Sequence, residues 1–192
     1  MRKTVIVALT ALSLSGLAFA GGGLKLPEPL TPPAVAKIVH VDDGDTVVAL
    51  TPDKQQVKVR LANIDAPETG HGACRPGQPF GRNAGDRLAE LVKGKEVGLR
   101  CTGHDRYGRA ICDVVLGDTT ATRILVQEGY AWANRARREY VRDREVYALE
   151  AQARAAKVGL WSATEPTPPW QWRHTGWDAS APGCQAKVRA SM

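Results

Sequence analysis

Residues 34–61 read AVAKIVHVDDGDTVVALTPDKQQVKVRL, and this stretch decides the fold. Val35, Lys37, Val39 and Val41 alternate with Ala36, Ile38 and His40, the period of two that belongs to a β-strand. Asp42-Asp43-Gly44 stops that strand, and a second apolar run from residue 46 to 50 follows at once, so the two form a hairpin. Residues 51–54, Thr-Pro-Asp-Lys, make the next turn. Val57, Val59 and Leu61 then alternate with Lys58 and Arg60 in a third strand.

Downstream, between residues 79 and 93, the apolar period changes. Phe80, Ala84, Leu88, Leu91 and Val92 share one helical face, and Gly94 is placed to end the helix. Strands resume at 95–101 and 109–116, a hairpin around Tyr107-Gly108-Arg109. Thr119 or Thr120 can cap a short helix carrying Ala121, Ile124 and Leu125, which Gly129 ends. A longer helix is expected from about 137 to 157, with Val141, Ala148, Ala151 and Ala155 amid Arg and Glu. Three strands, a helix, two strands and further helices is the order of a five-stranded Greek-key barrel of the oligonucleotide-binding type, with about three helices.

The flanks read differently. Residues 1–20 carry Arg2-Lys3, an apolar run from Val5 to Leu17 and Ala18-Phe19-Ala20, the pattern of a cleaved export signal and too short for a permanent membrane span. Residues 21–33 are a Gly- and Pro-rich lead-in, 34–161 the barrel domain, and 162–192 a tail. With Pro166, Pro168 and Pro169 among Trp170, Trp172 and Trp177, that tail is too irregular for helix and too proline-rich for a central strand, so an ordered wrap is expected. The product is then exported, periplasmic or secreted, with no stable membrane association, and a monomer. The net charge is +6, or +4 once Arg2 and Lys3 are removed, which suits a polyanionic partner. The four cysteines have no zinc spacing and in an oxidising compartment should form two disulfides. Cys101 and Cys112 flank the 105–109 turn symmetrically and pair first; Cys74 with Cys184 follows by elimination.

The chemistry lies in three segments. Asp45 follows a tight turn and Asp65 ends a strand, so their carboxylates, with the carbonyl of Ala66 and waters, could supply a hard divalent cation with six or more oxygens. Glu68, three residues beyond Asp65 with Pro67 stiffening the link, could take a proton from attacking water. Arg60 and Arg109 offer planar paired donors that suit phosphate oxygens, and Tyr107 could stack on a base or donate to phosphate. Taken singly, each has a plainer reading: a hairpin turn for residues 42–45, a solvated acid for Glu68, surface ion pairs for the arginines, a covering aromatic for Tyr107. His40, His71, His104 and His174 show no ligand spacing. A Gly-Lys-Ser/Thr phosphate loop and a Gly-x-Ser-x-Gly elbow are both absent from the sequence.

In order and spacing, residues 43–47 (DGDTV), Arg60-Leu61 through Asp65-Ala66-Pro67-Glu68-Thr69, Asp105-Arg106-Tyr107-Gly108-Arg109 and residues 150–161 (EAQARAAKVGLW) closely resemble the staphylococcal nuclease (thermonuclease) family. The resemblance implies an oligonucleotide-binding barrel and a Ca²⁺-dependent nuclease acting on DNA and RNA to leave 3′-phosphates. It implies Asp45, Asp65 and the carbonyl of Ala66 around Ca²⁺, with Asp43 beside these ligands, Glu68 as general base, and Arg60 and Arg109 on the phosphate. Mg²⁺ or Mn²⁺ use stays open. The family archetype has Thr where this chain has Ala66, a change that a backbone ligand survives. Residues 131–137 lack the archetype's base-packing tyrosines, for which Arg135, Arg137 or Tyr140 could substitute. A noncatalytic nucleic-acid or protein-binding barrel is the rival reading; it should have lost acids or arginines, and none is lost.

Overall fold

Strand β1 (Ala34–Asp43) turns through Gly44 into β2 (Thr46–Leu50), and β3 (Gln56–Leu61) follows, as the alternation requires. The computed structural model describes residues 34–72, 74–136 and 141–175. The expected export signal, the lead-in, Arg137, Tyr140, Trp177 and Cys184 lie outside those residues, and so does the proposed Cys74–Cys184 pair. The short β4 (Ile64–Asp65) and helix α1 (Gly81–Val92) precede the hairpin of β5 (Glu96–His104) and β6 (Ala110–Leu116). After these come β7 (Thr119–Thr120), α2 (Ala121–Gln127), β8 (Trp132–Ala133), α3 (Glu145–Ala155), a 3₁₀ turn (Gly159–Ser162) and α4 (Pro169–Thr175).

The barrel closes on itself. β3, β2, β1, β5 and β6 are antiparallel neighbours in that order, and β6 returns to β3 in parallel, with Arg60 opposite Ile111. Thr46 lies opposite Arg60 and Cys101 opposite Cys112, and those two cysteines form the expected disulfide. Ala36, Ile38, Val47, Ala49, Val59, Leu61, Val97 and Val114 fill the interior. Ala36 and Ile38 of β1 point inward, so Val35 shares the outer face with Lys37 and is 55% exposed; beyond them a β-bulge between Ile38 and His40 shifts the register. Leu88 and Val92 of α1 are fully buried on the barrel. Truncating a leucine so placed costs about 2–5 kcal/mol.

Three local expectations need correction. Phe80 lies before α1 rather than on its face: its φ of 67° turns it out of the helix and onto a second cluster with Trp132, Leu160 and Trp161. Helix α3 begins at Glu145 rather than near 137. The N–H groups of Arg142 and Asp143 donate to Asn63 Oδ1 (2.8 and 3.1 Å) and so are not available to a helical turn, while Asp143 Oδ1 accepts from Glu145 N–H at 3.1 Å and starts the helix there. The tail is not wholly irregular either. Pro169 stands at the first position of α4, where its missing N–H costs nothing, so the prolines start a helix that they would break further in. Among the described residues no helix is long and apolar enough to cross a membrane.

Candidate active site

The β1–β2 turn is built to present Asp45. Asp43 Oδ1 accepts the Asp45 N–H at 3.0 Å, and Gly44 packs so tightly that a Cβ there would come within 2.7 Å of the Cβ atoms of both Ala66 and Ala84. Only glycine lets this turn sit against α1 and the chain leaving β4. Asp45, 7% exposed, accepts from Thr46 Oγ1 (3.1 Å) through Oδ1 and from the Ala66 N–H (2.8 Å) through Oδ2. Asp65 is held differently. It lies on β4, paired with Trp132 of β8 in a two-stranded ladder that no periodicity announced, and is 3% exposed.

Arg60 joins the two acids. Its Nη2 stands 3.0 Å from Asp45 Oδ2 and 3.0 Å from Asp65 Oδ1, while Nη1 donates to the Leu61 carbonyl (2.8 Å) and Nη2 to that of Ile64 (3.0 Å). Burial pushes the Asp45 carboxyl up to about 8; Arg60 and the Ala66 N–H oppose that, and the nearby charges of Asp43 and Asp65 add to it. Arg60 and Arg173 of α4 are two guanidinia among the three carboxylates of Asp45, Asp65 and Glu68, and do not balance them. A divalent cation would, and the donors present are all oxygens, so the site fits a hard ion. Among the described residues no three His, Cys, Asp or Glu side chains already stand as a ligand cage, so carbonyl and water oxygens would have to complete the shell.

Glu68 is fixed from its backbone. Its carbonyl accepts from Gln78 N–H at 2.8 Å and its own N–H donates to Gln78 Oε1 at 3.2 Å. A Cβ on Gly81 would lie 2.1 Å from that same carbonyl oxygen, so the start of α1 presses directly on the Glu68 segment. Burial raises the Glu68 carboxyl above the ordinary carboxylate range, against the pull of Arg173. Arg173, which the sequence suggested at most as a base-stacking residue of the tail, reaches the acids instead. From α4, its Nη1 meets Glu68 Oε1 at 2.5 Å and Asp65 Oδ1 at 3.2 Å, and its Nη2 meets Asp65 Oδ2 at 2.7 Å. A signal was available: Pro169 can begin a helix, and Trp170, Arg173 and His174 then fall on one face at i, i+3 and i+4.

Arg109 reaches the same cleft from the β5–β6 turn. Asp105 accepts its backbone N–H (3.0 Å) and its Nε (2.7 Å), and Nη1 stands 3.4 Å from Thr46 Oγ1, which itself donates to Asp45. Tyr107 is 69% exposed at the turn tip, its hydroxyl 2.6 Å from Arg106 Nη2. Asp43, Asp45, Arg60, Asp65, Glu68, Tyr107, Arg109 and Arg173 all line one open cleft of about 950 Å³. Arg135 does not join them. It forms an ion pair with buried Glu150 (2.5 Å), donates to the Ala133 carbonyl and lies over the Tyr147 ring, a structural post rather than a free base contact.

Comparison with known proteins bears on this geometry. Residues 58–163 match the family model described as staphylococcal nuclease homologue. The chain is 39% identical over 153 residues to a protein of Shigella flexneri named micrococcal nuclease, covering 75% of this chain and 83% of that one. It is 37% identical over 139 residues to an uncharacterized endonuclease of Escherichia coli O157:H7, covering 72% and 84%. To the staphylococcal-like nuclease CAN1 of Arabidopsis thaliana it is 32% identical over 119 residues, 62% of this chain and 34% of that much longer one.

Proposed function

Because the chain belongs to the staphylococcal nuclease family, we propose that it is a Ca²⁺-dependent endonuclease that hydrolyses phosphodiester bonds of DNA and RNA and leaves 3′-phosphates. The observation that carries this is the convergence on Arg60 Nη2, 3.0 Å from a carboxylate oxygen of Asp45 and 3.0 Å from one of Asp65. Two buried acids, one from the β1–β2 turn and one from β4, share one point of positive charge, beside a third acid and a second arginine.

Asp45, Asp65 and the Ala66 carbonyl would hold the cation, which would supply positive charge to a nonbridging phosphate oxygen and make nearby water more acidic. Asp43 shapes the turn that presents Asp45. Glu68, its carboxyl raised by burial, takes a proton from the attacking water as the new P–O bond forms. The bond to the 5′-oxygen breaks, the leaving oxygen takes a proton from solvent, and the phosphate stays on the 3′ side. Arg60 and Arg109 hold fixed positive charge along the cleft where negative charge grows on phosphorus oxygens. Tyr107, exposed at the rim, gives a base a face to stack on.

Glu68→Gln keeps the shape and hydrogen-bonding capacity of the side chain and removes its basicity. The variant should melt like the parent and cleave plasmid DNA about 10²–10⁴-fold more slowly. Undiminished cleavage would remove Glu68 from the role of base, and nucleic-acid binding without cleavage by the parent chain would favour the noncatalytic barrel. Export rests on residues 1–20, and N-terminal sequencing of the mature product should begin near Gly21.

A further inference from the structure

The tail helix lies beyond the segment that the family model matches, yet it ends up in the acid cluster. That match ends at residue 163, and α4 spans Pro169–Thr175. Its docking is slight. Gln78 Nε2 donates to the Thr167 carbonyl, Trp172 Nε1 donates to the Pro76 carbonyl at 3.1 Å, and Trp170 packs on the cluster of Trp132 and Trp161. Gln171, His174 and Thr175 face solvent. Against this thin attachment, Arg173 makes the strongest polar contacts of the whole element, a fork on Asp65 and a third bond to Glu68.

Those oxygens are the ones the reaction needs. Asp65 Oδ1 already faces Arg60, and Arg173 adds a second contact on it through Nη1 and one on Oδ2 through Nη2, so both oxygens of Asp65 carry a guanidinium contact. Glu68 Oε1 is taken by the same guanidinium, 2.5 Å from Arg173 Nη1. A divalent cation binds carboxylate oxygens at 2.0–2.6 Å and would compete with the guanidinium for the same lone pairs and repel its charge. We propose that α4 is a counter-ion latch: Arg173 occupies Asp65 and Glu68 in the cation-free protein, and a divalent cation bound at Asp45 and Asp65 expels Arg173 and releases α4. The proposal rests on the nuclease reading in taking Asp65 as a cation ligand. It makes the free enzyme self-protected, with its base masked until the cation arrives.

Coupling of this kind is reciprocal, so removing the latch must strengthen cation binding as surely as the cation loosens the latch. The experiment titrates Ca²⁺ calorimetrically into the full mature chain and into Arg173→Gln, which keeps the side chain's length and polarity but not its charge. The variant should bind Ca²⁺ about tenfold more tightly, and Arg173→Lys, which keeps charge but loses the fork, should fall between. Loss of a positive charge alone could tighten binding without any movement, so hydrogen exchange is measured on the parent as well. Amides of residues 170–175 should exchange faster when Ca²⁺ is saturating. Equal Ca²⁺ affinity in parent and Arg173→Gln, or exchange in α4 indifferent to Ca²⁺, overturns the latch alone. Absence of Ca²⁺ binding in both chains overturns the metal reading and the latch with it.

Discussion

Asp113 shows how a single carboxylate away from the cleft is made costly. It faces Asn63, whose Nδ2 donates to its Oδ1 at 2.7 Å. Burial pushes its carboxyl above the ordinary range and the charge of Asp143 adds to that, while Arg100, Asn63 and Arg123 pull it back. A raised folded-state value means that the folded form holds the proton more tightly than the unfolded chain. The ionised carboxylate therefore weakens the fold once pH has risen through the raised value, and the penalty is absent below the unfolded value of about 4. Asp113→Asn keeps an acceptor for Asn63 and never ionises. Its urea midpoint should exceed the parent's at pH 8, and the difference should vanish as pH falls toward 4; a gain of equal size at both pH values would contradict this account.

Helix α3 buries Val146 and Ala153 with a charge, Glu150, set between them. Glu150 is fully buried, with Arg135 at 2.5 Å and Arg154 at 3.1 Å, and Arg154 in turn lies 3.8 Å above the Trp161 ring. Glu150→Ala leaves two guanidinia that solvent can reach and a small void, and should cost about 1–2 kcal/mol in chemical unfolding; unchanged stability would show that the pairs only decorate the helix. This also marks what was legible before the structure was known. The β1–β2 turn and the β5–β6 hairpin could be read from residues 34–50 and from the symmetric cysteines, because turn chemistry and alternation are local. The β4–β8 ladder, the late start of α3 and the reach of Arg173 could not. Each depends on a partner far along the chain: Trp132 for Asp65, Asn63 for residues 142 and 143, Asp65 for Arg173. Asp45, Asp65, Glu68, Arg60 and Arg109 could be named from motif spacing, but not which of them touch. Arg60 sits directly between two acids, and Arg109 approaches through Asp105 and Thr46.

At the scale of the molecule, a closed barrel brings Asp45 from the β1–β2 turn, Arg60 from β3, Asp65 from β4, and Glu68 and Arg109 from the loops after β4 and β5 to one cleft, and a tail helix adds Arg173. The chain is basic overall while several of its acids are drawn into that cleft, which leaves an exterior suited to a polyanion. The central claim is that Asp45 and Asp65 share one divalent cation that makes phosphodiester cleavage possible. Incubation of the purified mature protein with plasmid DNA and with RNA, in Ca²⁺, Mg²⁺, Mn²⁺ or EGTA, tests it most directly. Cleavage of both substrates in Ca²⁺, silence in EGTA and fragments ending in 3′-phosphate are expected. Equal cleavage in EGTA, or none with any of the ions, would contradict it.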